Sequence, residues 1–262
     1  MCGRFVVASS PPLLADQFGV DENRVGAVEP DYNIAPRQLV MVVREREETR
    51  DGRLGRPGTQ ETEAMEPTRK RRYLDELRWG LVPSWAKDPS MGDRMINARA
   101  ETLISKPAYR RASEKHRCII PADGFYEWQV VAPPTTPKGR PKKQPVFIHR
   151  RDGMPMAFAG LWAAWKAPEG STIDGVGEDG WLRSCTIVTG KPNELIAPIH
   201  DRMPVVLPES AWDQWLSRDV DDVDALQSLL VPLDAEQMEL WPVSTLVNKA
   251  DQKGPEVAQP LS

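Results

Sequence analysis

The sequence predicts an α+β fold: one domain built on a mostly antiparallel, barrel-like sheet, with helices at its periphery. Three observations predict it. Strand-like runs dominate the 262 residues and helical patterns are scattered. No GxGxxG or P-loop follows a strand, so a doubly wound nucleotide-binding sheet is not indicated. No internal period is present, which argues against a repeat array.

Residues 3–7 alternate as a short strand. Ser10-Pro11-Pro12 then marks a helix start, with Leu14 and Phe18 on one face and Gly19 at its end. Residues 39–44 read as a strand. Residues 45–72 are charged, rich in Gly and Pro and nearly free of large apolar side chains, so a mobile excursion between strands is expected. Strand signals return at 73–79, 117–121, 124–128, 146–149, 155–162 and 182–189. Residues 131–145 and 167–180 read as long hairpin loops. A basic helix is expected at 107–115, with Ser105 near its cap. Further on, Trp212, Trp215 and Leu216 share one helical face, and Val223, Leu226 and Leu230 another.

Composition narrows the function. The chain is 40% hydrophobic and 27% charged, as in a soluble globular protein. It has no apolar run of about 18 residues, so no membrane span is expected. It shows no secretory signal. Cys2, Cys118 and Cys185 are widely spread without a CxxC pair, so neither a disulfide framework nor a metal site is expected, and a reducing cytoplasm suits the chain. The net charge is −4, but residues 94–151 carry 13 Lys/Arg against four acids, and residues 208–241 carry nine acids and only Arg218. Such a division suits one face directed at phosphates, and equally a solvated surface whose charges segregate.

Four clusters carry candidate chemistry. In Met1-Cys2-Gly3-Arg4, loss of Met1 would leave a cysteine with both a thiol and an α-amine. Their ordinary pKa values, ~8.5 and ~7.7–8.0, leave both partly reactive at neutral pH. A 1,2-aminothiol condenses with an aldehyde, first to a Schiff base and then to a thiazolidine. In Ile96-Asn97-Ala98-Arg99-Ala100-Glu101, an extended chain puts Asn97, Arg99 and Glu101 on one side. Asn97 could hold an amine and Arg99 a phosphate. The plainer alternative is a hydrated strand edge with Glu101 paired to Arg99. In Phe125-Tyr126-Glu127-Trp128, a carboxyl among aromatics should have a raised pKa suited to proton transfer, unless it simply faces water. In Pro198-Ile199-His200-Asp201-Arg202, extended geometry puts His200 and Arg202 on one side and turns Asp201 away, so no triad is implied. His116 and His149 read as structural.

These runs, with Tyr-Asn-Ile-Ala-Pro at 32–36 and Trp-Gly-Leu-Val-Pro-Ser-Trp at 79–85, resemble the SOS response-associated peptidase (SRAP) family, in order over nearly the whole chain. The resemblance implies one catalytic and DNA-binding domain over residues 2–250, followed by a C-terminal tail at 251–262. It implies a monomer without cofactor, cytoplasmic or at the nucleoid, that binds single-stranded DNA and attaches covalently to abasic sites. Cys2 is then the nucleophile, supported by Asn97 and Glu127 and assisted by His200. Arg4, Asn33, Trp85, Arg99, Thr189 and Arg202 fall where the family contacts DNA. The 45–72 and 131–145 segments depart from the pattern, as does Ala86, where some members have a second aromatic.

In the implied reaction Glu127 helps open the abasic sugar, and the Cys2 amine attacks the aldehyde while Asn97 holds it. His200 moves protons at the Schiff base, and the thiol closes the ring. β-Elimination from the Schiff base would cleave the strand as a side reaction. Three rivals remain: an N-terminal-nucleophile amidohydrolase of the glutaminase type, which also begins Cys-Gly; an autopeptidase drawing on the same Cys2, Glu127 and His200; and a non-catalytic single-strand binder in which Cys2 is incidental.

Overall fold

The computed structural model describes residues 2–48, 69–133, 139, 141–220 and 222–261. In chain order the strands are β1 (Phe5–Val7), β2 (Glu22–Asn23), β3 (Asp31–Ile34), β4 (Leu39–Glu48), β5 (Arg69–Trp79), β6 (Asn97–Arg99) and β7 (Arg117–Ala122). They continue as β8 (Gly124–Ala132), β9 (Lys142–Arg150), β10 (Met156–Lys166), β11 (Trp181–Gly190), β12 (Met203–Pro204) and β13 (Met238–Pro242). The helices are short: α1 (Pro11–Gln17), α2 (Pro107–Lys115), α3 (Trp212–Leu216) and α4 (Val223–Ser228).

Five strands, β4, β5, β11, β10 and β7, close a barrel. Its neighbours are antiparallel except at the β5–β11 seam, which is parallel at Arg78↔Ser184 and Trp79↔Cys185. A second, antiparallel sheet runs in the order β13-β9-β8-β1-β3. Aromatic side chains join the two. Phe5 of β1 meets Trp79 of β5 edge-on at 5.0 Å, and Phe125 of β8 meets Phe158 of β10 at 5.9 Å. All four are buried, so the barrel and the second sheet share one core. The α+β expectation is therefore met.

The seam depends on Gly80. Where β5 ends, the chain leaves β11, and β6 takes over the same edge at Asn97↔Ile187. Gly80 turns there with φ 120° and donates its N–H to Cys185 O at 2.8 Å. A Cβ on it would lie 2.7 Å from Gly92 O. Only glycine meets both demands.

Several expectations need correction. Part of the 45–72 excursion is strand, since β4 runs to Glu48 and β5 starts at Arg69. Three facing pairs there are of opposite charge, Glu45 with Arg72, Glu47 with Lys70 and Glu48 with Arg69, while Arg46 faces Arg71. Residues 49–68 lie outside the described residues. Likewise β8 and β9 extend into the expected 131–145 loop, of which 134–138 and 140 are outside the described residues. Ser10 occupies the N-cap of α1 without a side-chain cap bond. The expected helix at 107–115 is α2, and Ser105 lies beside its N-cap Lys106, with Ser105 Oγ donating to Thr102 O. Extended structure at 96–101 stops at Arg99, where a 3₁₀ turn over Ala100–Thr102 begins. Of the expected face at 223–230 Leu226 is buried, whereas Val223 is exposed.

Residues 251–261 pack onto the second sheet. Tyr32 N donates to Lys253 O at 3.1 Å, Trp241 Nε1 to Ala258 O at 2.8 Å, and Val257 is fully buried. Among the described residues no helix is long and apolar enough to cross a membrane.

Candidate active site

Strand register brings the N-terminus to Glu127. β1 and β8 pair antiparallel at Phe5↔Phe125, and Tyr126 N donates to Arg4 O at 3.0 Å. Continuing that register sets Gly3 beside Glu127 and Cys2 just past it. Cys2 is fully buried, and its thiol donates to Arg4 O at 3.8 Å. Burial pushes the thiol pKa well above its ordinary value, and the Glu127 charge adds to the rise. At neutral pH the thiol therefore holds its proton.

Asn97 reaches the same point from the barrel side. Its Nδ2 donates to Cys2 O at 2.8 Å. Its own carbonyl accepts from Tyr109 Oη on α2 at 3.1 Å, and the preceding Ile96 O accepts from Trp79 Nε1 at 2.9 Å. Asn97 Oδ1 is buried with no donor among the described residues. An acceptor beside the N-terminus is thus left over, suited to an N–H of the Cys2 amine.

Glu127 is 2% exposed, which overturns the alternative of a carboxylate facing water. Burial raises its pKa, opposed by His200 and Lys143 among others. His200 is close enough to interact electrostatically with Glu127. The chain bends at 201 rather than running extended, so Asp201 does not point away. Its Oδ1 lies 2.8 Å from His200 Nδ1. Arg202 N also donates to that Nδ1, at 3.1 Å. The two contacts exclude one another, because Nδ1 accepts only when it carries no proton. The Arg202 peptide bond suits neutral imidazole. The Asp201 carboxylate suits any ring with a proton on Nδ1, neutral or cationic, and at 86% exposed the contact is weak in solvent.

The DNA-contact candidates divide by burial. Trp85 is 58% exposed and borders an open cleft with Lys87, Ser90 and Arg94. Arg99 is exposed as well. Arg4 is half-buried and donates to Asn33 Oδ1 and Val247 O, both at 2.7 Å. Asn33 and Thr189 are fully buried. Asn33 Nδ2 points at Val247, Lys249 and Gln252 carbonyls, the nearest at 2.8 Å, and Thr189 Oγ1 donates to Ala98 O at 3.5 Å. Arg202 forms a two-bond pair with Glu101, each bond 2.6 Å, where the plainer alternative had paired Glu101 with Arg99.

Part of the basic middle is engaged within the protein rather than offered to phosphates. Arg117 is buried and bonds backbone carbonyls at Ser113, Glu114, Trp215, Ser217 and Val220. Arg150 pairs with Asp152, and Arg151 with Glu239 at 3.4 Å. His116 stacks on Trp162 at 4.5 Å, and burial lowers its pKa to about 4, as fits a structural histidine. Among the described residues no group of His, Cys, Asp and Glu could hold a metal. Tyr109 and the Glu101–Arg202 pair escaped the sequence reading. No local pattern marks either, because both contacts form between separate elements.

Residues 1–250 match the family model described as SOS response associated peptidase (SRAP). The chain is 41% identical to the abasic site processing protein YoqW of Bacillus subtilis (strain 168), over 99% of both chains. It is 32% identical to the abasic site processing protein HMCES of Gallus gallus, over 91% of this chain and 68% of that one. A crystal structure of a protein from Bacteroides thetaiotaomicron shares the fold, with a TM-score of 0.71 at 21% identity over the whole of both chains. On the family match and these identities, the chain belongs to the SOS response associated peptidase family.

Proposed function

We propose that this chain processes abasic sites in DNA by forming a covalent thiazolidine between Cys2 and the ring-opened sugar. The observation that carries the reading is the convergence on Cys2. Asn97 holds its carbonyl at 2.8 Å, and a buried Glu127 lies close enough to raise its thiol pKa. The relatives' printed names, abasic site processing protein, support the same substrate.

The chemistry requires that Met1 be removed. Burial lets Glu127 keep a proton at higher pH than an exposed glutamate, so it donates to the ring oxygen as the bond from that oxygen to the anomeric carbon breaks and the anomeric hydroxyl gives its proton to water, leaving the aldehyde. The neutral Cys2 amine adds to the aldehyde carbon, and loss of water gives the Schiff base. Asn97 Oδ1 accepts from that nitrogen. Because burial keeps the thiol protonated, thiol attack comes second. The Sγ–C bond forms, the C=N bond becomes C–N, and the thiol proton passes through Glu127 or His200 to nitrogen. Single-stranded DNA suits the site because Trp85 offers a stacking face. Arg99 provides an exposed cation for a phosphate.

The test compares heat-stable adducts on single-stranded DNA bearing one abasic site. Wild type should crosslink, and Cys2→Ala should not. Cys2→Ser should form only an adduct that needs borohydride trapping, because its hydroxyl does not replace the thiol in a stable ring. Ammonia release from glutamine with no reaction at abasic DNA would replace this reading with the glutaminase one.

A further inference from the structure

Glu101 has no task in the reaction above, yet it makes the best-formed ion pair near the site. It sits in the 3₁₀ turn that follows β6, the strand of Asn97. Both its oxygens accept from Arg202, from Nη1 and from Nη2 at 2.6 Å each. The Arg202 side chain is only 12% exposed, and its Nε is buried with no acceptor among the described residues. The guanidinium is therefore poorly placed to find a substitute partner in water. A planar fork on a carboxylate fixes distance and orientation together, which a lysine would not do.

The pair spans two segments that carry chemistry. β6 lies on one edge of β11 at Arg99↔Thr189, and β12 lies on the other edge at Pro204↔Thr189. His200 and Arg202 immediately precede β12. The Arg202 peptide N–H donates to His200 Nδ1 at 3.1 Å, in competition with the Asp201 carboxylate at 2.8 Å, which would hold the Nδ1–H ring but is 86% exposed and weakened by water, so the residue gripped by Glu101 bears on which tautomer prevails. A neutral ring that accepts at Nδ1 carries its proton on Nε2.

We propose that Glu101 is a positioning residue. Through Arg202 it ties the His200 loop to the Asn97 strand and holds neutral His200 as the Nε2–H tautomer. Its effect on rate rests on the proposed crosslinking reaction, whereas the tie itself does not.

The experiment uses the full chain labelled with ¹⁵N, and long-range ¹H–¹⁵N spectra of its three histidines, with His200→Gln to assign the signals. Wild-type His200, when neutral, should show an unprotonated Nδ1 and a protonated Nε2. In Glu101→Gln and in Arg202→Lys the two nitrogens should move toward averaged shifts, and Glu101→Asp should restore part of the difference. Crosslinking at saturating abasic DNA should fall about ten- to a hundredfold in the first two variants. The double variant should be no slower than either single one. Unchanged His200 nitrogens in folded Glu101→Gln would overturn the tie. Moved nitrogens with wild-type crosslinking rates would overturn the positioning role. Moved nitrogens with no crosslinking by wild type would leave the tie standing and reject the reaction instead.

Discussion

Glu127 is the side chain whose environment most shapes the proposed reaction. A buried carboxyl with a raised pKa favours its protonated form in the folded state. The sign for stability follows. The contribution is full below the ordinary glutamate value of ~4.3 and is lost as pH rises through the raised value, where a charge must be buried. Glu127→Gln should therefore unfold at a higher temperature than wild type at pH 7–8, and the difference should close below about pH 4. The same variant should crosslink about a hundredfold more slowly, since it can neither donate nor accept the proton. Calorimetry across pH, beside adduct kinetics, checks both, and equal melting temperatures at pH 8 would reject the burial argument. The run Phe125-Tyr126-Glu127-Trp128 made this residue legible, because aromatic neighbours and strand period predict an apolar setting. Asn33 and Thr189 were not legible as buried groups. A polar residue on a strand looks the same in sequence whether it meets water or a distant carbonyl.

Gly80 and the Glu101–Arg202 pair act between elements. Gly80→Ala would put a Cβ 2.7 Å from Gly92 O in a backbone with φ 120°. It should cost about 2–3 kcal/mol in strain alone and loosen β6, hence Asn97. Denaturant unfolding measures the loss, and a change below about 0.5 kcal/mol would contradict the seam argument. Arg202 holds the Glu101 carboxyl down at about 2. The pair's contribution is then present above the ordinary value of ~4.3 and fades as pH falls toward about 2. Glu101→Gln should lower stability at pH 6–7 and match wild type near pH 2, by a small amount because the carboxylate is 45% exposed. At this scale the sequence reading went furthest astray in the β4–β5 hairpin. High charge and low apolarity suggested a chain without structure, but three of the facing charged pairs are opposite in sign, against one like pair of Arg46 and Arg71, and only the register reveals which positions face.

At the scale of the molecule, the N-terminus lies where the second sheet meets the barrel, with Glu127 from one and Asn97 from the other. The C-terminal segment braces that junction. Arg4 and Asn33 both bond Val247 O, and Asn33 also bonds the carbonyls of Lys249 and Gln252. Asn33→Ala should leave Val247 O to Arg4 alone, remove the Asn33 donor from the Lys249 and Gln252 carbonyls, and cost about 1–3 kcal/mol. Hydrogen exchange should then show faster opening at residues 247–252 and around Arg4, and unchanged protection there would contradict the brace. The α+β class, most strands and the residues meeting at Cys2 were legible from periodicity and ordered motifs. The barrel's closure was not, because a parallel seam between β5 and β11 joins segments about a hundred residues apart and leaves no local mark. The central claim is tested most directly by the intact mass of purified protein after reaction with single-stranded DNA bearing one abasic site. The thiazolidine account predicts a mass equal to the chain from Cys2 plus the DNA less one water, unchanged by borohydride and absent in Cys2→Ala. An adduct that gains two hydrogens on borohydride treatment, or no adduct from protein confirmed to begin at Cys2, would contradict it.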